Sequence, residues 1–463
     1  DRRSDPCYLL GGAIEEAPMI NNHIRLTISV IYAVCSVAAI VIPASATTML
    51  TDHLIKDTMS RLHEWQLDVA VEQAERELAA AEATYGRNHL KVAAALRHLA
   101  DSDVAKGKVR HAVPLAERAR EILTSERGAT HPEVLESMEF LAGLCIRLGM
   151  YDKAEPLFTS VATVREQSLG ADHPDVAATL NDLARLYGAQ GKYAEAEALY
   201  IRTLTIRHSA LGENHLLVAE SFADLGGLYR KVGMYEEAES ILSRALEIAG
   251  KADGEKGLIQ AAALFELASC YDAQGRQVEA EPLYVRSLEL RDRSGVVEDL
   301  GLAETLDKLA GIYYTQGRYV ETEPFFKRVL GIRIRLLGNG HPDVAAAWNS
   351  LAILYHAQGM IPKAEPYYKQ ALTILENYHG KNHPSVATAL NNLGGCLYYQ
   401  GKYYQALPLF RRSLIIYENA YGQHDPRLVN SLENISSCYD KLGESGIANE
   451  FELRVRVLRA QSN

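Results

Sequence analysis

The chain has 463 residues, of which 48% are hydrophobic and 23% are charged, and its formal net charge is −11 at pH 7. This is the composition of a folded globular protein and excludes a disordered one. The negative charge argues against a nucleic-acid scaffold, since such a protein needs a basic surface to neutralise phosphates. We therefore expect a folded protein that binds no nucleic acid.

The first apolar segment follows Met19, which is the expected start of translation because residues 1–18 show no periodicity. Residues 26–42 are uncharged, and Ala44-Ser45-Ala46 provides the small residues that signal peptidase requires. Residues 19–46 are therefore predicted to be a signal peptide, so that the mature chain begins at Thr47 and is exported.

The alternative to cleavage is a retained anchor. An apolar stretch of this length is slightly long for a signal-peptide core and slightly short for a membrane span. In that case residues 26–42 would hold the protein in the inner membrane, and this would be its only contact with a membrane.

Residues 47–88 form an entrance to the rest of the chain. Apolar residues at helical spacing predict one helix that ends near Tyr85-Gly86; they are Leu67, Ala70, Ala74, Leu78 and Ala81. Such a helix would cap the exposed apolar side of the first unit that follows it.

From residue 89 onward the chain repeats one pattern, for which His173–Gly212 is the type unit. The interval is 42 residues. Nine phases follow one another without a slip, beginning at His89, His131, His173, His215, Gly257, Asp299, His341, His383 and Asp425. A fixed period of this length predicts a repeat solenoid over residues 89–463, with a polar C-terminal helix near residues 450–459 as its closing cap.

Each unit is predicted to contain two helices, which we call A and B. In the type unit, helix A has apolar residues at helical intervals and ends at the Gln190-Gly191 step, where glycine tolerates the left-handed conformation. Helix B is the second amphipathic segment, which is marked by Tyr193, Ala196 and Leu199 and ends near Leu211-Gly212. Six repeats carry a proline two residues after the residue aligned with Ala196; because a proline is tolerated in a first turn, helix B is predicted to begin just before it.

Adjacent large and small residues explain how the two helices meet. Leu183-Ala184 recurs in this form or as Leu-Gly in seven other units, and Ala196 also has alanine counterparts. A tiny residue lets two helix backbones approach closely, whereas a large one fills the gap beside it. Ala352, for example, is predicted to lie in such a contact.

These residues resemble the tetratricopeptide repeat. The match rests on the spacing of Leu183, Ala184, Tyr187, Gly191, Tyr193, Ala196 and Tyr200. The 42-residue length resembles the long subtype of kinesin light chains and of many bacterial repeat proteins. The resemblance covers roughly residues 70–455 and implies an all-α, right-handed superhelical solenoid of antiparallel helix pairs. The bacterial style of the repeats favours the periplasm as the place of export.

The residue types that carry chemistry have structural explanations here. The recurrent histidines belong to different units, so they cannot converge on one metal ion, and we expect them at helix entrances. Four cysteines remain in the repeats, and we expect them to be small buried core residues rather than disulfides. No catalytic motif or phosphate-binding loop is present, so we expect no enzyme, no cofactor and no metal.

The resemblance implies that the A helices line a concave groove. The predicted peptide-binding residues are Asn181, Arg185, Asn349, His356, Asn391, Asn392, Tyr398, Tyr399, Asn430 and Asn434. Asn181, Asn349, Asn391 and Asn392 are assigned to one offset of the repeat, and groove asparagines hold peptide backbones in proteins that resemble kinesin light chains. An asparagine side chain both donates and accepts hydrogen bonds, and tyrosines add rigid anchors.

The predicted function is therefore a non-catalytic scaffold that binds a peptide or a partner's segment in the concave groove. Two alternatives remain open at this point. The array could assemble a multiprotein envelope complex through its convex face or by end-to-end contacts, which a large exposed apolar patch on the B helices would favour. It could also be the regulatory subunit of a separately encoded enzyme.

Overall fold

The computed structural model describes residues 44–251, 257–293 and 299–461, and in these ranges it contains nineteen α-helices and no strand. Residues 19–43 of the predicted signal peptide lie outside the described residues. The chain divides into two compact units, Asp1–Lys106 and Gly107–Asn463. The division falls inside the first predicted repeat, and each unit is described by itself.

The first unit contains α1 (Ala44–Tyr85) and α2 (Leu90–Ala105), which pack against each other. Val71 and Ala74 of α1 are buried, together with Val92, Ala93 and Leu96 of α2. The predicted helix that ends near Tyr85 is present and longer than its apolar pattern suggested.

The second compact unit begins with α3, which is the B helix of the first repeat, and continues with the A–B pairs of the eight following repeats. Their bounds are α3 (Val109–Arg127), α4 (Pro132–Arg147), α5 (Tyr151–Leu169), α6 (Pro174–Gln190), α7 (Tyr193–Leu211), α8 (Leu216–Val232), α9 (Tyr235–Lys251), α10 (Gly257–Ala273), α11 (Gln277–Arg293), α12 (Leu300–Thr315), α13 (Tyr319–Leu337), α14 (Pro342–Ala357), α15 (Ile361–His379), α16 (Pro384–Tyr399), α17 (Tyr403–Tyr421), α18 (Val429–Lys441) and α19 (Ser445–Gln461). Consecutive helices pack against each other along this unit. The prediction of an all-α solenoid of helix pairs is confirmed.

The histidines at the start of the A helices are N-caps. The Nδ1 atom of His173 accepts a hydrogen bond of 3.1 Å from the backbone N–H of Asp175, and His341 accepts one of 3.1 Å from Asp343. The same bond is made by His89, His131, His215 and His383. In two of the three repeats without this histidine an aspartate is the cap: Asp299 accepts from the N–H of Leu302 and Asp425 accepts from the N–H of Arg427. The predicted place at helix entrances is correct, because a side-chain acceptor satisfies an N–H that the first turn leaves unpaired.

The prolines do not lie in the first turn of the B helices. Pro156 is the sixth residue of α5, which begins at Tyr151, and the helix continues through it. The first helical bonds of α5 are donated by Lys153 and Ala154 to the carbonyl of Met150. The prediction placed the helix start about one turn too late, because a proline in the second turn removes one hydrogen bond near the helix end and leaves the rest of the ladder intact.

The small residue of each A helix faces a large residue of its B helix. A Cβ atom added to Gly226 would lie 2.5 Å from Cγ of Leu242, and one added to Gly394 would lie 2.6 Å from Cε1 of Phe410. Ala352 is fully buried at the same position. The predicted close approach of the two backbones therefore exists, and it is the B-helix side chain that fills the space.

A second recurring contact joins four of the repeats to the repeat before them. The hydroxyl of Tyr229 donates a hydrogen bond of 2.8 Å to Glu197, and that of Tyr355 donates one of 2.8 Å to Glu323. Tyr187 and Tyr271 make the same bond to Glu155 and Glu239. Each tyrosine is on an A helix and each glutamate is on the B helix of the preceding repeat, so this bond links consecutive repeats.

The four cysteines of the repeats, Cys145, Cys270, Cys396 and Cys438, are free and buried. Burial raises the pKa of Cys438 to about 11, as expected for a thiol in an apolar core. None of the described helices combines the length and the apolar character that a membrane crossing needs.

Candidate interaction groove

The A helices of consecutive units contact one another directly, as α8 does with α10 and α16 with α18. Their side chains therefore meet on a shared face, and we call this face the groove. On α6 it contains Ala178, Asp182, Arg185 and Ala189, which recur every three or four residues. The equivalent residues of the other A helices continue the groove along the second unit.

In the central repeats the groove is lined by ion pairs that connect one A helix to the A helix of the next repeat. The guanidinium of Arg185 on α6 lies 2.9 Å from Asp224 and 3.1 Å from Glu220, both on α8. Arg230 of α8 lies 2.8 Å from Glu266 of α10. Lys308 of α12 lies 3.2 Å from Asp272 of α10. We call these seven residues together with Asp182 and Glu304 the charged segment.

Negative charge exceeds positive charge in the charged segment, and two carboxyl groups respond to it. Burial raises the pKa of Asp182 to about 6, with Arg185 opposing the shift and Glu139 adding to it. Burial also raises the pKa of Glu304, and the neighbouring Glu266 adds to that shift. A carboxylate that loses solvent without gaining a full counter-charge takes up a proton more readily.

A recess of about 190 Å³ opens in the charged segment between α6, α8 and α10. Arg185, Asp224, Lys231 and Glu266 contribute its polar walls. A Cβ atom at Gly227 would lie 3.0 Å from the carboxylate carbon of Glu266, so glycine keeps this carboxylate accessible to the recess. The recess is large enough for a single side chain of a partner.

The last units present a groove of different chemistry. The side-chain amide of Asn392 on α16 donates a hydrogen bond of 2.8 Å to the amide oxygen of Asn349 on α14. About two turns further along the same helices, the rings of His356 and Tyr399 meet edge to face with centroids 4.9 Å apart. We give the name amide–aromatic segment to Asn349, His356, Asn392, Tyr398, Tyr399, Asn430 and Asn434.

The aromatic side chains of this segment support one another. Tyr398 packs against Tyr399 at 5.8 Å and against Tyr403 at 5.2 Å, and both pairs are edge to face. Tyr399 nevertheless keeps 69% of its surface exposed. Burial lowers the pKa of His356, so this imidazole is neutral at pH 7. The segment therefore offers amides and aromatic rings without a fixed charge.

The ten predicted peptide-binding residues have three kinds of surroundings. Asn181 and Asn391 are only 2% and 8% exposed, and their amides donate to Asp224 and to Ser431 of the following unit at 2.8 Å each. These two join units together. Arg185 is tied to Asp224 and Glu220, whereas the other seven make up the amide–aromatic segment. Asn430 and Asn434 also bond each other, at 3.2 Å along α18.

The four asparagines do not share a single offset. Asn181, Asn349 and Asn391 are related by multiples of 42, and Asn392 occupies the next position. That single-residue step separates a buried side chain from a half-exposed one on α16. The face of the helix turns by about 100° per residue, so the two asparagines point in different directions.

Sequence reasoning missed Glu266 and Glu304 as groove residues. Both belong to units that lack the His-Pro pair at their start, where the pattern is weakest. The period itself could have found them, since Glu266 aligns with Asp182 and Glu304 aligns with Ala178. Among the residues that the structure describes, no group of three potential ligands is placed to hold a metal ion.

A family profile described as Tetratricopeptide repeat matches the chain six times, at residues 133–207, 187–251, 218–293, 301–377, 347–403 and 385–456. A search of curated proteins finds no match.

Several solved structures are similar. The STAND protein with a tetratricopeptide repeat sensor from Pyrococcus horikoshii is 13% identical with a TM-score of 0.54, over 88% of this chain and 64% of that one. The apo quorum sensor NprR from B. thuringiensis is 13% identical with a TM-score of 0.50, over 79% and 97%. A candidate kinesin light chain from Podosopora anserina with nearly identical repeats is 27% identical with a TM-score of 0.37, over 45% and 99%. At these identities the first two show the fold alone.

Proposed function

This chain belongs to the tetratricopeptide repeat family, and on that premise we propose that it is a non-catalytic scaffold that holds an extended segment of a partner protein along its groove. The amide–aromatic segment is the proposed main contact. Repeats of this fold are typically non-catalytic scaffolds that bind proteins or peptides.

The observation that carries the proposal is that the exposed ring of Tyr399 and the partly exposed amide of Asn392 lie on the same helix, where they pack against His356 and Asn349 of the preceding repeat. An amide can bond the backbone N–H and C=O groups of an extended peptide, which are the same for every sequence. A rigid aromatic ring supplies contact area with little loss of conformational entropy. Selectivity would then come from side chains that reach the charged segment, where excess negative charge favours a basic partner residue.

The test compares two tyrosines. Tyr399→Ala removes the groove ring, whereas Tyr404→Ala removes a ring that is 79% exposed at the start of α17. The full chain and both variants are used to capture proteins from a native cell envelope, and captured proteins are quantified by mass spectrometry. We expect Tyr399→Ala to lose a protein that Tyr404→Ala and the parent both retain.

Asn392→Ala provides a second comparison, with the exposed Asn377→Ala on α15 as its matched control. If neither groove variant changes the captured set while both fold normally, the groove assignment is wrong. An enzyme among the specifically lost proteins would identify the chain as a regulatory subunit.

A second candidate function is supported by an exposed apolar ridge. The second residue of four consecutive B helices is apolar, and Val278, Val320 and Tyr404 keep 89%, 86% and 79% of their surface exposed. Pro362 holds the same place between the last two. Such a ridge favours assembly into a larger complex through this edge. In the tyrosine experiment, loss of capture by Tyr404→Ala alone would support this alternative.

We also propose that the chain is exported to the periplasm after cleavage before Thr47. The proposal is supported by the apolar segment 26–42 and the small residues at 44–46. Mass spectrometry of the protein purified from its native cell gives the N-terminal residue. A chain that keeps residues 26–42 and sediments with membranes would instead be anchored.

A further inference from the structure

The second compact unit turns back on itself, so that its first helices contact helices four to six repeats later. The guanidinium of Arg147, at the end of α4, donates a hydrogen bond of 2.9 Å to the carbonyl of Leu336 in the last turn of α13. Residues 147 and 336 are 189 positions apart. Nearby, the guanidinium of Arg110 on α3 lies 4.8 Å from the ring centre of Tyr378 on α15.

The closest approach is made by Gly107, the residue before Lys108 at the start of α3. A Cβ atom at Gly107 would lie 1.9 Å from the carbonyl oxygen of Arg335, a distance that no side chain tolerates. Its own carbonyl oxygen is also close to Gly338, at 3.3 Å from a Cβ placed there. Two glycines with positive φ angles, 79° and 80°, therefore face each other across the contact.

The chemistry of the contact is that of a helix C-terminus meeting cations. The carbonyls of Arg335 and Leu336 belong to the last turn of α13, where carbonyls lack helical partners and carry partial negative charge. Arg147 satisfies one of them. Burial lowers the pKa of Arg147, which shows that its side chain has left water to reach this position.

We propose that Gly107, Arg110 and Arg147 form a latch that closes one superhelical turn of the second unit against the end of α13 and Tyr378. The units between the two sides of the latch include all the A helices of the charged segment. The latch therefore sets how far their groove opens.

The latch is built to be reversible. Its named polar contacts are one hydrogen bond to a carbonyl and one cation–π contact, whereas each A–B pair inside the unit is joined by a continuous buried core. When only a few contacts close a long loop of chain, they can break without unfolding the helices that they join. Opening of the latch separates the two ends of the superhelical turn and leaves each A–B helix pair intact.

The chain offers a matched control for the glycine. Gly149 has the same place in the next A–B turn, a φ angle of 69°, and nothing within 4 Å of an added Cβ. Gly107→Ala and Gly149→Ala therefore share the backbone strain of an alanine at positive φ, and only Gly107→Ala adds a collision with α13.

The experiment measures one intramolecular distance by pulsed electron–electron resonance on the full chain. Spin labels are placed at Glu121→Cys on α3 and Gln370→Cys on α15, two exposed sites on opposite sides of the latch, with Cys7 and Cys35 changed to serine. We expect a single narrow distance distribution in the parent and in the control variant Gly149→Ala. We expect Gly107→Ala to give a longer or broader one.

Arg147→Leu tests the latch without touching the backbone, and Lys231→Leu, at the same repeat position two units later, is its control. Arg147→Leu should lengthen the distance and Lys231→Leu should not. Far-UV circular dichroism verifies that each variant is folded. Identical distributions in all folded variants, or a broad distribution in the parent that none of them alters, would overturn the proposal. Because no partner is present, the result is independent of the proposed function.

Discussion

The side-chain amide of Asn392 donates a hydrogen bond of 2.8 Å to the amide oxygen of Asn349, one repeat earlier along the groove. This bond leaves the oxygen of Asn392 and the amino group of Asn349 available for other partners. The pair therefore arranges two amides side by side without consuming either of them. Four predictions follow the logic of this and related contacts.

The first prediction concerns the two adjacent asparagines of α16. Asn391→Ala should destabilise the protein by about 1–2 kcal/mol, because it removes a buried bond to Ser431. Asn392→Ala should cost less than about 1 kcal/mol, because its side chain is partly exposed and water can replace the lost bond. Urea unfolding of the two single variants measures the difference. Equal losses would mean that both side chains serve stability, and the groove role of Asn392 would lose its support.

The second prediction concerns the pH dependence of stability at Asp182. Its pKa is raised from 3.8 to about 6 in the folded protein, so folding is penalised once the group must ionise. The contribution of protonated Asp182 to the free energy of unfolding is fully present below pH 3.8 and is lost as the pH rises through about 6. Asp182→Asn should therefore stabilise the protein above pH 6 and have little effect near pH 4.

The gain for Asp182→Asn should be about 1 kcal/mol, since 43% of the Asp182 side chain remains exposed and solvent screens part of the penalty. Unfolding in urea at pH 4.5 and pH 7.5 measures it. Asp175→Asn, which removes an exposed carboxylate from the start of the same helix, serves as the control. A gain of the same size at both pH values would contradict the assigned cause.

The third prediction concerns the close contact between A and B helices. Ala352→Leu should destabilise the protein by about 1–3 kcal/mol, because the site is fully buried against the B helix. Ala346→Leu places the same side chain at an exposed site of the same helix and should be nearly neutral. Thermal unfolding compares the two. An unaltered melting temperature for Ala352→Leu would mean that the helix contact lies elsewhere.

The fourth prediction concerns the histidine caps. His173→Ala should cost about 1 kcal/mol, because it leaves the N–H of Asp175 without its acceptor. His173→Asp should retain most of the stability, since Asp299 and Asp425 already cap their helices in this chain. Urea midpoints of the two variants decide the matter. If both changes cost the same, the histidine stabilises the turn in some way other than capping.

Local features of the fold were predictable because they depend on neighbours in the chain. Gly191 ends α6 with a φ angle of 77°, as a glycine after the last apolar residue of a helix predicts. His173 begins the same helix as a cap. The error at Pro156 has the same local character, since proline is compatible with either of the first two turns and its position alone does not choose between them.

The groove was only partly predictable from the repeat pattern. The period indicated which residues of α14 and α16 share a face, and Asn349, His356, Asn392 and Tyr399 do meet there. It could not separate Asn391 from Asn392, because burial at that position depends on Ser431 of the next unit. The ion pairs of the charged segment likewise depend on the distance between A helices, which no single repeat specifies.

The sequence by itself determined the period of 42 residues, the two helices of each unit, their caps and the family, because all of these arise from contacts within one repeat or between neighbours. Only the tertiary structure decided which asparagines are buried, and that Gly107 meets the carbonyl of Arg335. The physical reason is that the rotation from each repeat to the next accumulates along the array. A small difference in this rotation, invisible in any single repeat, decides after four or five repeats whether two distant turns touch.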